Sequence, residues 1–141
     1  MENYDWGGCL LIMIISEFLF WGMFGIVLEV CFTALLKLFK EKKLDLTGHV
    51  SFWMFPVYAI GLTYGFDIIE YLIPWVELRY ILYPFWIWAI EFVIGYPLLK
   101  IGIRLWDYRY WPGSLFQWKG IISYAHFPLW ILFGIIVEAF K

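Results

Sequence analysis

Charge is what this sequence has least of: Asp, Glu, Lys and Arg make up 16% of its 141 residues, while 64% are hydrophobic. Soluble domains carry about 25% charged and roughly 45–50% apolar residues. A soluble fold of this length has no single core large enough to hide such an excess, so the mean hydropathy of +0.78 points to lipid as its cover. Clustered basic residues are also missing, and the net charge of −2 argues against a nucleic-acid partner. Cysteine is scarce. Cys9 and Cys31 lie on one predicted helix, roughly 33 Å apart at 1.5 Å per residue, so they cannot bridge each other and imply no disulfide framework. The first eight residues hold Glu2 and Asp5 but no Lys or Arg; without the positive start of a signal peptide, the first apolar segment reads as a retained helix. There is no histidine cluster, HExxH, CxxC or activated Ser or Cys setting, which weighs against an enzyme. Nothing in the sequence names a metal or a cofactor.

What is present is a stretch written twice. Residues 48–58 read GHVSFWMFPVY, and residues 120–130 read GIISYAHFPLW. Gly48, Ser51, Phe55 and Pro56 recur as Gly120, Ser123, Phe127 and Pro128, while Phe52 and Tyr58 recur as Tyr124 and Trp130. The aromatic matches mean little in a chain that is 24% aromatic, but the pattern uses two of only four serines and two of only six prolines. Upstream, Glu29 precedes Lys37 much as Glu91 precedes Lys100, and Thr33 and Gly95 each follow four residues later. The self-similarity predicts two copies of a two-helix unit in the same orientation, related by an axis along the membrane normal. The second copy's loop is longer by about ten residues and carries Trp106-Asp107-Tyr108.

Hydropathy places four membrane helices, at about 7–36, 50–73, 81–105 and 120–140. Thr47 is placed as the N-cap of the second, Gly61 and Gly65 form a GxxxG pair within it, and Pro74 stops it. Residues 75–80 read as a short interfacial segment, Pro84 as the first turn of the third helix, and 106–119 as a polar, aromatic loop with a Pro-Gly turn. Lys37, Lys40, Lys42 and Lys43 flank the first loop, and Lys100, Arg104, Arg109 and Lys119 the third, against Arg79 in the middle loop and Lys141 at the C-terminus. The positive-inside rule then puts the first and third loops in the cytoplasm and both termini outside. The expected fold is thus all-α and integral to a membrane: one domain over 1–141, with repeats at about 8–75 and 76–141.

Six acids fall within or at the ends of the spans. Glu17, Asp67, Glu70 and Glu138 lie toward the outer ends, where snorkelling to water is easy. Glu29 and Glu91 are deeper, where an ionisable residue normally faces the bundle interior, and they are expected to form a buried acidic pair. At similar depth come Ser51, Tyr58, Ser123 and His126, and the rings of Pro56 and Pro128 are expected to kink their helices and free the carbonyls of Phe52 and Tyr124. Together these form a candidate polar layer that can bind a cation, pass a proton or hold a polar head group. His126 also reads as an ordinary helix contact, since its counterpart is Met54, and His49 reads as solvated. Asp107 has two readings: a belt residue paired with a nearby arginine, or a loop acid folding back onto the layer.

Taken in order, Glu29-Val-Cys-Phe-Thr-Ala, Gly48-x-x-Ser51-x-Trp53-x-x-Pro56-x-Tyr58, Trp86-x-x-x-x-Glu91-Phe-x-x-Gly95, Trp106-Asp107-Tyr108 and Gly120 with Pro128 resemble one group of small membrane proteins. These are the CmpB-like ABC-transporter permeases (type IV) and the related transmembrane protein 229 group. The resemblance covers roughly 17–138 and implies a multi-pass, transport-type protein of the bacterial cytoplasmic membrane. The chain has no phosphate-binding glycine loop, so any ATPase is another polypeptide. The expected partners are membrane lipids, other membrane subunits, that ATPase or further copies of the chain. Two rivals stand beside the transport reading: a non-catalytic subunit or scaffold of a larger membrane complex, and a small lipid- or cofactor-handling enzyme.

Overall fold

A computed structural model describes residues 6–42, 44–110 and 115–141. Asn3, Lys43, Trp111 and the Pro-Gly turn at 112–113 lie outside the described residues. Helices dominate: α1 (Trp6–Glu41), α2 (Met54–Ile60), α3 (Phe66–Leu72), α4 (Val76–Lys100) and α5 (Phe127–Phe140). A π-helical turn, Gly61–Gly65, separates α2 from α3, and two short strands, β1 (Gln117–Trp118) and β2 (Ile122–Ser123), form an antiparallel hairpin. Two helical segments, Gly7–Glu41 and Val76–Lys100, are long and apolar enough to cross a membrane. Their large apolar side chains are widely exposed, Leu10, Ile12, Met23, Val27, Phe85 and Val93 among them. The chain divides into two compact units, one ending at Thr63 and one beginning at Tyr64.

In the first unit α1 packs on α2. The approach is close because glycines of α1 face aromatic rings of α2: a Cβ on Gly22 would sit 2.6 Å from the Phe55 ring, and one on Gly25 2.2 Å from Tyr58. Trp21, Gly22, Gly25 and Ala34 are buried, while residues 11–17 are exposed. Lys42 ends α1 in a left-handed conformation, φ 54°. Lys37 in its last turns donates to Asp45 at 2.7 Å and to Thr47 at 2.6 Å. Thr47 is therefore not the cap of the second helix, which starts later, at Met54 after Trp53, with no side-chain cap.

In the second unit α4 packs on α5. Tyr83 is fully buried, its ring stacked on Phe66 at 4.2 Å and pressed into the notch at Gly134. The segment 75–80 is not a separate interfacial piece: α4 runs through it, and Pro84 is interior rather than initial. α4 ends at Lys100 in a Schellman motif, Gly102 (φ 84°) donating to Leu99 at 3.2 Å and Ile103 to Leu98 at 2.9 Å.

Two further expectations are corrected here. Residues 120–123 are not helical, because Lys119 and Gly120 both have positive φ (51° and 75°) and Ile121 donates to the Trp118 carbonyl at 3.0 Å. That geometry is a type I′ turn, which favours a hairpin. Nor do Pro56 and Pro128 kink helix interiors: they fall in the first turns of α2 and α5, where the missing N–H has no intrahelical partner to lose.

Candidate functional site

In each unit a glutamate singled out from the sequence accepts a hydrogen bond from a tyrosine. In the first unit, Tyr58 Oη donates to Glu29 Oε2 at 2.7 Å. Glu29 is half-buried on α1, and Tyr58 reaches it from α2 because the notch at Gly25 lets its ring lie flat against α1. One turn on, Thr33 Oγ1 accepts from the His49 backbone N–H at 3.0 Å and donates to backbone carbonyls. This bond ties the loop to the helix, while His49 stays exposed as expected. Gly48 is required there, since a Cβ would meet the Val30 carbonyl oxygen at 2.0 Å. Ser51 is half-buried, and its carbonyl receives the Met54 N–H at 2.9 Å.

In the second unit the site is deeper. Glu91 is 7% exposed, and its Oε1 accepts from Tyr108 Oη at 2.5 Å. Its Oε2 is buried with no hydrogen-bond partner among the described residues. The Tyr108 ring packs against the His126 ring at 5.0 Å, and His126 Nδ1 lies 2.5 Å from Ser123 Oγ. Trp130 lies 6.0 Å from the imidazole, with its indole N–H buried and without a hydrogen-bond partner among the described residues. Trp88 and Trp106 donate to the Ser123 and Ile121 carbonyls, at 3.2 and 2.8 Å, and hold the hairpin against α4. Gly95 makes room for this, its missing Cβ lying 3.0 Å from Trp106 and 3.5 Å from Ile121.

The structure thus brings Glu91, Ser123 and His126 into one buried cluster, and pairs Glu29 with Tyr58. Asp107 is held elsewhere. Arg109 donates to it at 2.5 and 2.9 Å, and Arg104 lies 3.6 Å away. The hydrogen bonds from the Arg109 side chain, opposed by partial burial and aided by the two guanidinium charges, hold its carboxyl below the ordinary 3.8. It is the next residue, Tyr108, that folds back onto Glu91. Tyr108 and Trp130 were not singled out from sequence as site residues, and the signal was there: Asp107 has Arg104 and Arg109 close by in sequence to hold it in the loop, which leaves its uncharged neighbour to turn inward.

A second polar group was missed. Arg79 forms an ion pair with Glu138, and Tyr83 Oη donates to the same carboxylate at 3.2 Å. Glu138 is therefore not a solvated acid: its side chain is 12% exposed. Lys141 pairs with Asp67. Among the described residues there is no group of three or more metal-ligating side chains. No family model matches the chain, and no solved structure matches it.

Proposed function

We propose that this chain is a transport-type, transporter- or channel-like component of a membrane, in which Glu91, and Glu29 as its counterpart, take up and release a proton or small cation. The observation that carries the reading is the unpartnered, buried Oε2 of Glu91. A carboxyl oxygen left without a hydrogen bond in an apolar interior costs several kcal/mol or more unless it binds something, and intramembrane acids mark ion and proton routes. Tyr108, His126 and Ser123 supply a hydroxyl, an imidazole and a second hydroxyl in contact order from Glu91, the groups a proton relay uses.

The arrangement proposed is four crossing segments in two parallel repeats, with the first and third loops in the cytoplasm and the termini outside, in a bacterial cytoplasmic membrane. Two observations support it. Residues 54–72 and Tyr124–Phe140 add two more helical stretches. Glu29 and Glu91, which match in the repeat, each accept a hydrogen bond from a tyrosine, Tyr58 and Tyr108, although the two tyrosines do not occupy matching positions. The partners proposed are lipids, with other subunits, a separate ATPase or a further copy of the chain.

The test is ion flux into proteoliposomes under imposed pH and cation gradients. Glu91→Gln keeps size and hydrogen bonding but loses the exchangeable carboxyl. Flux by the wild type that falls at least tenfold in Glu91→Gln supports the reading. A wild type without flux that co-purifies with stoichiometric subunits overturns it in favour of a scaffold.

A further inference from the structure

One surface of the second unit carries a cluster that the Glu91 site does not use. Lys100 sits at the end of α4 with its ammonium 4.8 Å from the centroid of the Tyr96 ring, one turn back. Lys119, in the hairpin turn, brings a second ammonium to 5.0 Å from the same ring and 5.0 Å from Trp118. The two amines are therefore no more than about 10 Å apart, close enough to repel at low salt. Among the described residues neither has a carboxylate within ion-pair distance; Asp107, the nearest acid in sequence, is taken by Arg109 and Arg104. The hairpin turn fixes Lys119 in a left-handed backbone, φ 51°.

An apolar bed continues from the amines. Tyr96 stacks on Phe92 at 5.4 Å, and Trp118 closes against both rings, at 5.5 and 5.6 Å. The same stripe of α4 continues through Trp88 to Phe85, itself 5.4 Å from Trp88. From Phe85 to Tyr96 the helix rises about 16 Å, roughly one leaflet of a ~30 Å hydrocarbon core. Phe85 and Phe92 are about half exposed.

We infer that Lys100 and Lys119 form a site for a phosphate-bearing anion, the head group of an anionic phospholipid, with Tyr96 and Trp118 as its floor and the Phe92–Phe85 stripe as the bed for its acyl chain. Two unneutralised cations converging on one aromatic platform at the mouth of an apolar stripe match an anionic amphiphile in both charge and length. Each lysine near a membrane surface strengthens binding of anionic lipid about fivefold. The site does not depend on the transport reading.

The test uses the full chain in mixed micelles doped with phosphatidylglycerol, phosphatidylcholine or inorganic phosphate, with retained lipid quantified after gel filtration. Phosphatidylglycerol is expected to be retained at least tenfold over phosphatidylcholine, the preference shrinking as salt is raised. It should fall to within about twofold in Lys100→Ala/Lys119→Ala and persist in Lys100→Arg/Lys119→Arg. The salt titration needs only wild type, so the test survives a poorly folding variant. Equal retention of both lipids, a salt-independent preference, or an unchanged preference in the alanine pair overturns the inference. So does inorganic phosphate displacing phosphatidylglycerol at equal concentration, since the acyl stripe would then contribute nothing.

Discussion

Tyr108→Phe removes one oxygen atom, and with it the donor to Glu91. Glu91 is buried, with Oε1 bonded to the Tyr108 hydroxyl and Oε2 unpartnered. The phenylalanine ring keeps the 5.0 Å contact with His126, so no cavity opens and the loss is that of the hydrogen bond. Both carboxyl oxygens are then buried without partners, which costs about 1–3 kcal/mol. Tyr58→Phe is the control. Glu29 is half-buried, so less of its carboxyl is shut away from other partners, and the cost falls to about 0.5–1.5 kcal/mol. Replacing both partners of the buried pair by apolar groups, Glu91→Leu with Tyr108→Phe, is expected to be nearly neutral, so the double variant should be clearly more stable than the sum of the single changes predicts. The assay is reversible unfolding by denaturing detergent in lipid micelles, monitored by circular dichroism. Tyr108→Phe unfolding at the same midpoint as wild type would falsify the buried pair. A double variant less stable than the sum of the single changes refutes the coupling.

Three other outcomes follow from the geometry. Gly25→Ala, which drives a Cβ into Tyr58 Cβ and Cγ at 2.5 and 2.2 Å, should cost about 1–3 kcal/mol, whereas Gly102→Ala, with open space but φ 84°, should cost about 1–2 kcal/mol; unfolding midpoints compare them. Because the hydrogen bond from Arg109 lowers the Asp107 carboxyl below 3.8 in the fold, its stabilisation is present above 3.8 and is lost as pH falls through the lower folded value. Tryptophan fluorescence of the loop should therefore stay flat from pH 7 to 4 and change only below that, and Asp107→Asn should abolish the acid step. Single cysteines in a background lacking Cys9 and Cys31 test topology: Lys42 and Gly113 should label only from the cytoplasmic side, and Asn3 and Lys141 only from outside.

The apolar helices and the burial of Glu91 were legible because an acid set far from the flanking lysines within an apolar run has to be covered by its neighbours. The doubled motif was equally plain. What it does locally was not: Gly48 is needed for close approach to the Val30 carbonyl, whereas Gly120 is needed for its left-handed turn, and one letter carries both reasons. The hairpin was hidden because Lys119 occupies a backbone region that lysine rarely adopts. Pro84 misled for a related reason: proline favours a first turn, yet here tertiary packing keeps it inside α4. Asp107 drew attention through its charge, but charge finds charge locally, and the residue that reached the core was the uncharged neighbour.

The two glutamates are closed off by tyrosines on different kinds of element. Tyr58 is carried on a helix whose neighbouring rings sit in glycine notches. Tyr108 rides on a three-residue turn, Tyr108–Tyr110, with its own N–H bonded to the Gly120 carbonyl at 2.9 Å. Separation of packed helices takes microseconds or longer, whereas loop segments move in nanoseconds to microseconds. On the proposed reading, exchange at Glu91 would be timed by a loop and at Glu29 by helix packing, so one chain would offer two clocks for the same chemical group.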